Sequence, residues 1–165
     1  MTETVKDGQQ VDRKYLAHYL NAKPDASQPT WVRLGEDLED YTDEISANVE
    51  TLENILGETK IKVTSYEVTG SVEPYYAYKG EVLYEWLENI ARNRLTLDAC
   101  KTERLTVYLW KGTADAYECD KEEVVIEVKS MGGDTNGVSI PFDVHGTNKI
   151  TTGTFATSTK TFTEE

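Results

Sequence analysis

Met131-Gly-Gly-Asp-Thr-Asn-Gly-Val-Ser-Ile-Pro-Phe-Asp-Val-His145 is the segment with the clearest signal of secondary structure in this sequence. Its glycine-rich start, Met131 to Gly137, predicts a tight turn. After the turn, apolar and polar side chains alternate from Val138 to His145, which is the pattern of a half-buried β-strand. The sequence therefore predicts a strand that turns one face to a core and the other, including His145, to solvent.

Other short segments rich in β-branched and aromatic residues predict a chain made mostly of strands. They lie at residues 30–34, 45–55, 61–72, 105–110, 124–128, 138–144 and 150–155. In the segment 61–72, the apolar residues Ile61 and Val63 alternate out of phase with Tyr66 and Val68. This change of face near Ser65 predicts a β-bulge. The short patch at residues 15–20 fits a helical turn or an edge strand equally well.

The segment 105–110 carries apolar side chains on both faces. Leu105, Val107 and Leu109 face one way, while Tyr108 and Trp110 face the other. We expect this strand to lie between a core and a second contact surface. Tyr108 and Trp110 are therefore candidate contacts between subunits.

One amphipathic helix is predicted over residues 80–94. Its apolar stripe consists of Val82, Leu83, Trp86, Leu87, Ile90 and Ala91. Acidic residues occupy its front and middle, and Arg92 and Arg94 its end, which suits the helix dipole. A single helix beside many strands predicts a mainly β (α+β) fold, a two-sheet β-sandwich or open barrel with one flanking helix.

The charge of the chain argues against a protein that grips nucleic acid. The formal net charge is -13, and the nine charged residues from position 36 to 58 are all acidic. Affinity for phosphate comes mainly from Lys and Arg, which this region lacks. These acids fit a solvated face that aids solubility, or a surface past which DNA moves without sticking.

Targeting and redox features predict folding in a cytoplasm. The first ten residues have neither a basic start nor an apolar run, so we expect no secretory signal, and no run approaches the roughly 18 apolar residues that cross a bilayer. Two cysteines, Cys100 and Cys119, do not form a disulfide framework, and we expect both thiols to stay reduced.

The sequence offers few candidates for catalysis or metal binding. The histidines, His18 and His145, stand in no triad-like or ligand-like pattern, and no nucleotide-binding or hydrolase motif is present. Asp134 to Gly137 is similar to the start of a calcium loop, but the twelfth position is His145 instead of Glu. We therefore expect no enzyme activity, no metal and no cofactor.

Three tyrosines cluster in the segment Glu73-Pro-Tyr-Tyr-Ala-Tyr-Lys79. Tyr75, Tyr76 and Tyr78 are candidate contacts between subunits, because tyrosine supplies a large contact area at low entropic cost. The same cluster also fits a loop folded over the helix, or a platform for carbohydrate.

Several patterns, in order, resemble the tail-tube (major tail) proteins of long-tailed bacteriophages. A tryptophan-containing strand leads into a Leu-Gly-acid stretch at residues 31–41, and two strands follow at 46–54 and 60–66. A helix comes next, and then a Gly-Gly-Asp turn, a strand and Gly153-Thr-Phe155. The resemblance covers about residues 30–156 and implies a tail-tube domain. Residues 1–29 would be a flexible arm and loop, and residues 157–165 a polar tail, both used in stacking.

The resemblance implies that six copies form a ring with a continuous inner β-barrel, and that rings stack into the hollow tube of the virion tail. The tube would be assembled in the bacterial cytoplasm, with the tape-measure protein and tail-end proteins as partners. DNA would pass through the lumen without tight binding, past acids that Glu50, Glu53, Glu67 and Glu127 would supply. A monomeric binding module is the alternative from another class, and a tube protein of a contractile or type VI-like injection system is a close neighbour.

Overall fold

The computed structural model describes residues 5–165, and over this range the protein is mainly β with a single α-helix. The mainly β fold with a flanking helix is thus confirmed. Two short 3₁₀ turns lie at Arg13–Tyr15 and Leu97–Cys100, and the helix is α1 (Val82–Asn93). The strands are β1 (Leu16–Asn21), β2 (Trp31–Leu34), β3 (Asp43–Glu53), β4 (Thr59–Val72), β5 (Lys101–Thr113), β6 (Ala116–Val128), β7 (Gly132–Asp134), β8 (Gly137–Ser139), β9 (Phe142–Ala156) and β10 (Thr161–Glu164).

The strands form two sheets of unequal size. Eight of them build one sheet in the order β2-β1-β5-β6-β9-β4-β3, with β10 paired to β9, and β7 and β8 form a separate small hairpin. Each pairing is antiparallel. In the large sheet β2 and β3 are the two ends of the strand order, so among the described residues each leaves one edge unpaired.

The large sheet buries a core on each of its faces. One core contains Leu83 and Leu87 of α1 packed on Val72, Ile126, Phe142 and Val144. The other is built around Tyr19, Leu105, Val107, Cys119 and Phe155. Adjacent residues of β1, Tyr19 and Leu20, belong to different cores because successive side chains of a strand point to opposite faces.

The stretch after the Met131–Gly137 turn departs from the single strand that its alternation predicts. Ile140, Phe142 and Val144 are fully buried, but Val138 is half exposed. Pro141 has no N–H to donate to a ladder, and the strand is interrupted between Ser139 and Phe142. Beyond the break, β9 runs without interruption to Ala156. It therefore includes the end of the strand predicted at 138–144 and all of the strand predicted at 150–155.

Both ends of the chain contribute more to the sheet than the domain boundaries predicted from sequence allow. Residues 1–29 were expected to be an arm and loop, yet β1 is a central strand in which Leu20 is completely buried. The short patch at residues 15–20 is thus a strand with covered edges. Residues 157–165 include β10, whose Phe162 packs against the second core. The first four residues lie outside the described range.

The helix and the bulge predicted from the sequence are both confirmed. α1 buries Leu83, Leu87 and Ile90 on the sheet, and it ends at Arg94 in the left-handed conformation with φ 48°. The register of β3 against β4 shifts between Asn48 and Val49, where Thr64 is the extra residue. Within residues 5–165, no helix is long and apolar enough to cross a membrane.

Candidate functional site

The outer part of the β3–β4 hairpin is the most exposed region of the sheet. We call residues 44–67 the outer hairpin, and nearly all of them are exposed to solvent. Its turn is well ordered, because Asn54 Oδ1 accepts hydrogen bonds from the amides of Leu56 and Glu58, at 2.9 Å each. The turn nevertheless presents two large apolar side chains, Ile55 and Leu56, to water.

One face of the outer hairpin is apolar, and the bulge makes it so. Cross-strand partners share a face, and the pairs Ile45–Val68, Ala47–Tyr66, Val49–Val63 and Thr51–Ile61 lie on one side. Without the extra residue Thr64, the odd-numbered Ile61 and Val63 would not join the even-numbered Tyr66 and Val68. Ile45 is 67% exposed and Ile61 72% exposed, so nothing within residues 5–165 covers this apolar face.

The apolar face continues the face of the sheet that carries the helix-covered core. Asp43 pairs with Gly70, Gly70 with Val144, and Val144 with Ile126. Val144 and Ile126 lie beneath α1, whereas Ile45, two residues beyond Asp43, has no such cover. The outer hairpin is thus an extension of the core face past the end of the core.

The opposite face of the outer hairpin is polar, and two of the four acids proposed for a lumen lie on it. Glu50 pairs with Lys62, and Glu67 with Ser46. Glu127 lies on the same side of the sheet, because it pairs with Asp143, which in turn pairs with Ser71, on the same face as Glu67. Glu53 pairs with Thr59 on the apolar side. Three of the four candidate acids therefore share one face, and Glu53 does not.

A buried ion cluster fixes the base of the hairpin to the body. Arg104 of β5 is only 4% exposed and donates to Asp43 Oδ1 at 2.6 Å and to Glu122 Oε2 at 2.9 Å. The hydroxyl of Tyr41 donates to the same Asp43 oxygen at 2.9 Å. Because Asp43 begins β3, this cluster sets the direction in which the hairpin leaves the sheet.

Two glycines make room for the cluster. A side chain at Gly70 would collide with the Tyr41 ring, and one at Gly146 would collide with the Glu122 carboxylate. Glycine within a strand often marks a close approach of this kind. Gly70 and Gly146 are the sequence signal for this cluster, and the cluster itself is not among the features predicted from the sequence.

His18 lies beside the cluster and is not placed for acid–base chemistry. It is buried, and its ring meets the Tyr41 ring edge-on at 4.7 Å. Burial lowers the pKa of His18 to about 4, although the nearby Asp43 acts in the opposite direction. The imidazole is therefore neutral at physiological pH.

The three tyrosines proposed as subunit contacts have different environments. Tyr75 is buried in its own chain, edge-on to Phe142 at 5.4 Å, which removes it from the candidate contacts. It fits the loop folded back toward the helix, since its hydroxyl donates to Glu81 just before α1. Tyr76 is half-buried, and Tyr78 is half-exposed with its hydroxyl on Asp37. Tyr76 and Tyr78 remain available.

Tyr108 and Trp110 form an edge-on pair, with ring centroids 5.4 Å apart, on the face of β5 opposite Leu105 and Val107. Both are half-buried. The Tyr108 hydroxyl donates to Asp120 at 2.9 Å, and burial together with this carboxylate raises the pKa of Tyr108 to about 12. The pair remains a prediction for a subunit contact.

Cys100 and Cys119 are free and buried thiols. Burial raises the pKa of Cys119 to about 12, so this thiol is unreactive at neutral pH. Asp134 forms a plain turn between β7 and β8, where its Oδ1 accepts a hydrogen bond from the Asn136 amide at 2.8 Å. The turn reading of the Met131–Gly137 stretch is thus supported by its hydrogen bonding.

The overall fold resembles a component of a phage-tail-like particle. The chain is similar to the tube-terminating cap of the anti-feeding prophage, solved by cryo-electron microscopy, with a TM-score of 0.50. The likeness covers 92% of this chain and 96% of the cap chain at 11% identity, so it concerns the fold alone. No protein-family model and no curated protein sequence matches the chain.

Proposed function

We propose that this protein is a structural subunit of a phage tail or a related injection particle. In this proposal six copies form a ring, and rings stack into the hollow tail tube of the virion, assembled in the bacterial cytoplasm. The fold shared with a tube-terminating cap supports the proposal at the level of architecture. The order of sequence patterns that resemble tail-tube proteins supports it independently.

The observation that carries the proposal is the uncovered apolar face of the outer hairpin. The β-bulge keeps the apolar side chains of the outer hairpin on one face. An exposed apolar face of this kind makes a monomer prone to aggregation. It becomes favourable when a second copy covers it, since burial of apolar surface is the main driving force of association. A head-to-tail contact of this kind, repeated around an axis, closes into a ring.

The polar face supports the second part of the proposal, passage of DNA. If the apolar faces lie against neighbouring subunits, the polar faces with Glu50, Glu67 and Glu127 turn to the inside of the ring. Each acid would then be repeated six times along the path of the DNA. Like charge prevents the phosphate contacts that would hold DNA in place.

A cap that terminates the tube is the second candidate, and the fold likeness favours it. Tube and cap subunits would form rings through the same lateral contact and differ in stacking. A ring in the tube stacks on an identical ring on each of its two sides. A cap ring stacks on the tube through one side only, so the tube ends there. The tape-measure protein and tail-end proteins are the proposed partners of either form.

The test is the assembly state of the purified chain in negative-stain microscopy and mass photometry. Wild type is expected to form rings or tubes, with single rings favouring the cap and long tubes the tail tube. Ile45→Lys places a charge on the apolar face and should block ring formation, while its stability as a monomer stays within about 0.5 kcal/mol because the side chain is exposed.

The matched control is Ser46→Lys, one residue along on the polar face, which should assemble like wild type. Rings that form equally well with Ile45→Lys would contradict the proposed contact. A wild-type chain that stays monomeric at all concentrations, with and without the other tail proteins, would favour the monomeric binding module instead.

A further inference from the structure

Glu127, Asp143 and His145 converge on the polar face of the sheet, at the junction of β6 and β9. One possible ligand atom of each lies within 4.8 Å of those of the other two. Glu127 pairs directly with Asp143, and His145 is the next residue of β9 on the same face. Two strands therefore hold the three side chains as neighbours, independently of loops.

The hydrogen bonding around His145 orients its ring for coordination. Its Nε2 lies 2.7 Å from Glu127 Oε2, and its Nδ1 lies 3.2 Å from the hydroxyl oxygen of Thr69 on the next strand, β4. A histidine that binds a metal through one nitrogen commonly donates its other N–H to an oxygen, which fixes the tautomer. Thr69 is placed to be that acceptor.

Asp143 supplies a separate indication that the site is incomplete. Its Oδ1 is buried and accepts no hydrogen bond, although the side chain as a whole is 18% exposed. The nearest cation, Lys129 Nζ, is 3.7 Å away and also lies 3.7 Å from Glu73. Asp143 Oδ1 thus has a long ion pair with Lys129 but no hydrogen bond, and a buried oxygen without a hydrogen bond is costly. A cation bound at this oxygen would satisfy it.

We propose that Glu127, Asp143 and His145 form a binding site for a divalent transition-metal ion of the zinc type. One imidazole and two carboxylates make a three-ligand set that leaves a position for water. With the ion on Nε2, the single proton of the neutral ring lies on Nδ1 and is donated to the Thr69 hydroxyl oxygen, so the ring changes tautomer and releases no proton. Metal–ligand bonds of about 2.0–2.2 Å require the Nε2–Oε2 pair to widen slightly, and Glu127, 59% exposed, is free to move.

The ion would join β6 to β9, and while bound it would leave Glu50 and Glu67, without Glu127, as the free acids proposed to repel DNA. Isothermal titration of the full chain with ZnCl₂ in a non-chelating buffer should show one site per chain. His145→Ala and Glu127→Gln should each lower the affinity at least about tenfold, and a Zn²⁺-induced rise in melting temperature should vanish with it. Circular dichroism of the metal-free variants checks that both are folded.

Matched variants separate coordination from general charge. Glu118→Gln removes an exposed carboxylate from the same strand, β6, and should leave Zn²⁺ affinity unchanged. Thr69→Val should weaken binding about 10- to 100-fold, and Thr69→Ser should restore it, because only the hydroxyl supports the ring. Co²⁺ should give visible absorption bands of a low-coordinate site in wild type and lose them in His145→Ala.

The proposal is overturned if wild type binds neither Zn²⁺ nor Co²⁺, or if His145→Ala binds either ion as tightly as wild type does. Binding that Glu118→Gln weakens as much as Glu127→Gln does would show a diffuse acidic surface instead of a site, and would overturn the proposal as well.

Discussion

The body of the large sheet and its outer hairpin have the same strand chemistry but opposite exposure. In the body, Val144 and Ile126 are covered by α1, and the buried residues form two cores. In the outer hairpin, Ile45 and Ile61 continue the same face of the sheet and lie in water. Apolar alternation along a strand thus indicates a surface that becomes buried, but it does not indicate whether the same chain or a second copy buries it.

Substitution of Arg104, which joins the outer hairpin to the body of the sheet, should cause the largest loss of stability. Arg104→Ala leaves the buried carboxylate of Glu122 and the partly buried carboxylate of Asp43 without their shared cation, so we expect a loss of about 3–5 kcal/mol in the free energy of unfolding. Urea denaturation of the monomer measures it. Arg92→Ala, which breaks an exposed pair with Glu88, is the control and should cost less than about 1 kcal/mol. Equal losses in the two variants would contradict the cluster's role.

Truncation of one apolar residue in each region tests the comparison itself. Leu87→Ala removes a fully buried side chain beneath the sheet and should cost about 2–5 kcal/mol. Ile61→Ala in the outer hairpin should change monomer stability by less than about 0.5 kcal/mol, because Ile61 is exposed. Chemical denaturation of both variants decides it. A large loss for Ile61→Ala would mean that the monomer already covers the hairpin.

His18 predicts how acid acts on the base of the hairpin. Its folded pKa of about 4 is below the ordinary 6.5, so the unfolded chain binds the proton first. The stability associated with neutral His18 is complete above pH 6.5 and falls as the pH drops toward 4, by up to about 3 kcal/mol. His18→Phe keeps a ring against Tyr41 and should remove this part of the acid sensitivity. If wild type and His18→Phe show the same dependence of stability on pH, His18 does not contribute to the acid sensitivity.

The candidate lumen acids give the smallest expected change in stability and a clear change in function. Glu50→Lys and Glu67→Lys reverse charge at exposed positions of the polar face and should alter stability by about 1 kcal/mol or less, with Glu50→Lys the more costly because it places a lysine opposite Lys62. Assembled tubes should then retain DNA in a salt-dependent way. Glu85→Lys, an exposed position on α1 away from both faces of the outer hairpin, is the control for DNA retention. Equal DNA release from all three would assign the acids to solubility alone.

The sequence predicted the local elements well because their signals are local. The stripe of α1 and the phase change that marks the bulge at Thr64 both depend on neighbouring residues only. The pairing of β1 on both of its edges could not be inferred from the short patch at 15–20, because its paired residues in β2 and β5 lie 10 to 92 residues away along the chain. Pro141 indicates the break before β9 in retrospect.

The site was predicted only in part, for the same physical reason. Glu50, Glu67 and Glu127 were named from strand alternation, but that they share a face follows from pairing across β4, β9 and β6. Tyr75 was wrongly predicted to contact a neighbouring subunit. A cluster of tyrosines in the sequence does not reveal whether a given ring packs inside its own chain, as Tyr75 does against Phe142, or against another subunit. Arg104 gave no signal of its own, since its partners come from other strands.

The most direct test of whether the apolar face of the outer hairpin forms the contact between subunits is the reactivity of one engineered cysteine on each face of the hairpin. Cys100 and Cys119 are buried, so a thiol reagent reports on Ile61→Cys or Lys62→Cys with little background. We predict that assembly slows labelling of Ile61→Cys about tenfold or more relative to the monomer, while Lys62→Cys changes about twofold or less, because an interface excludes water from one face. Equal labelling of Ile61→Cys in assembled and monomeric protein would contradict the assignment of the apolar face to the contact between subunits.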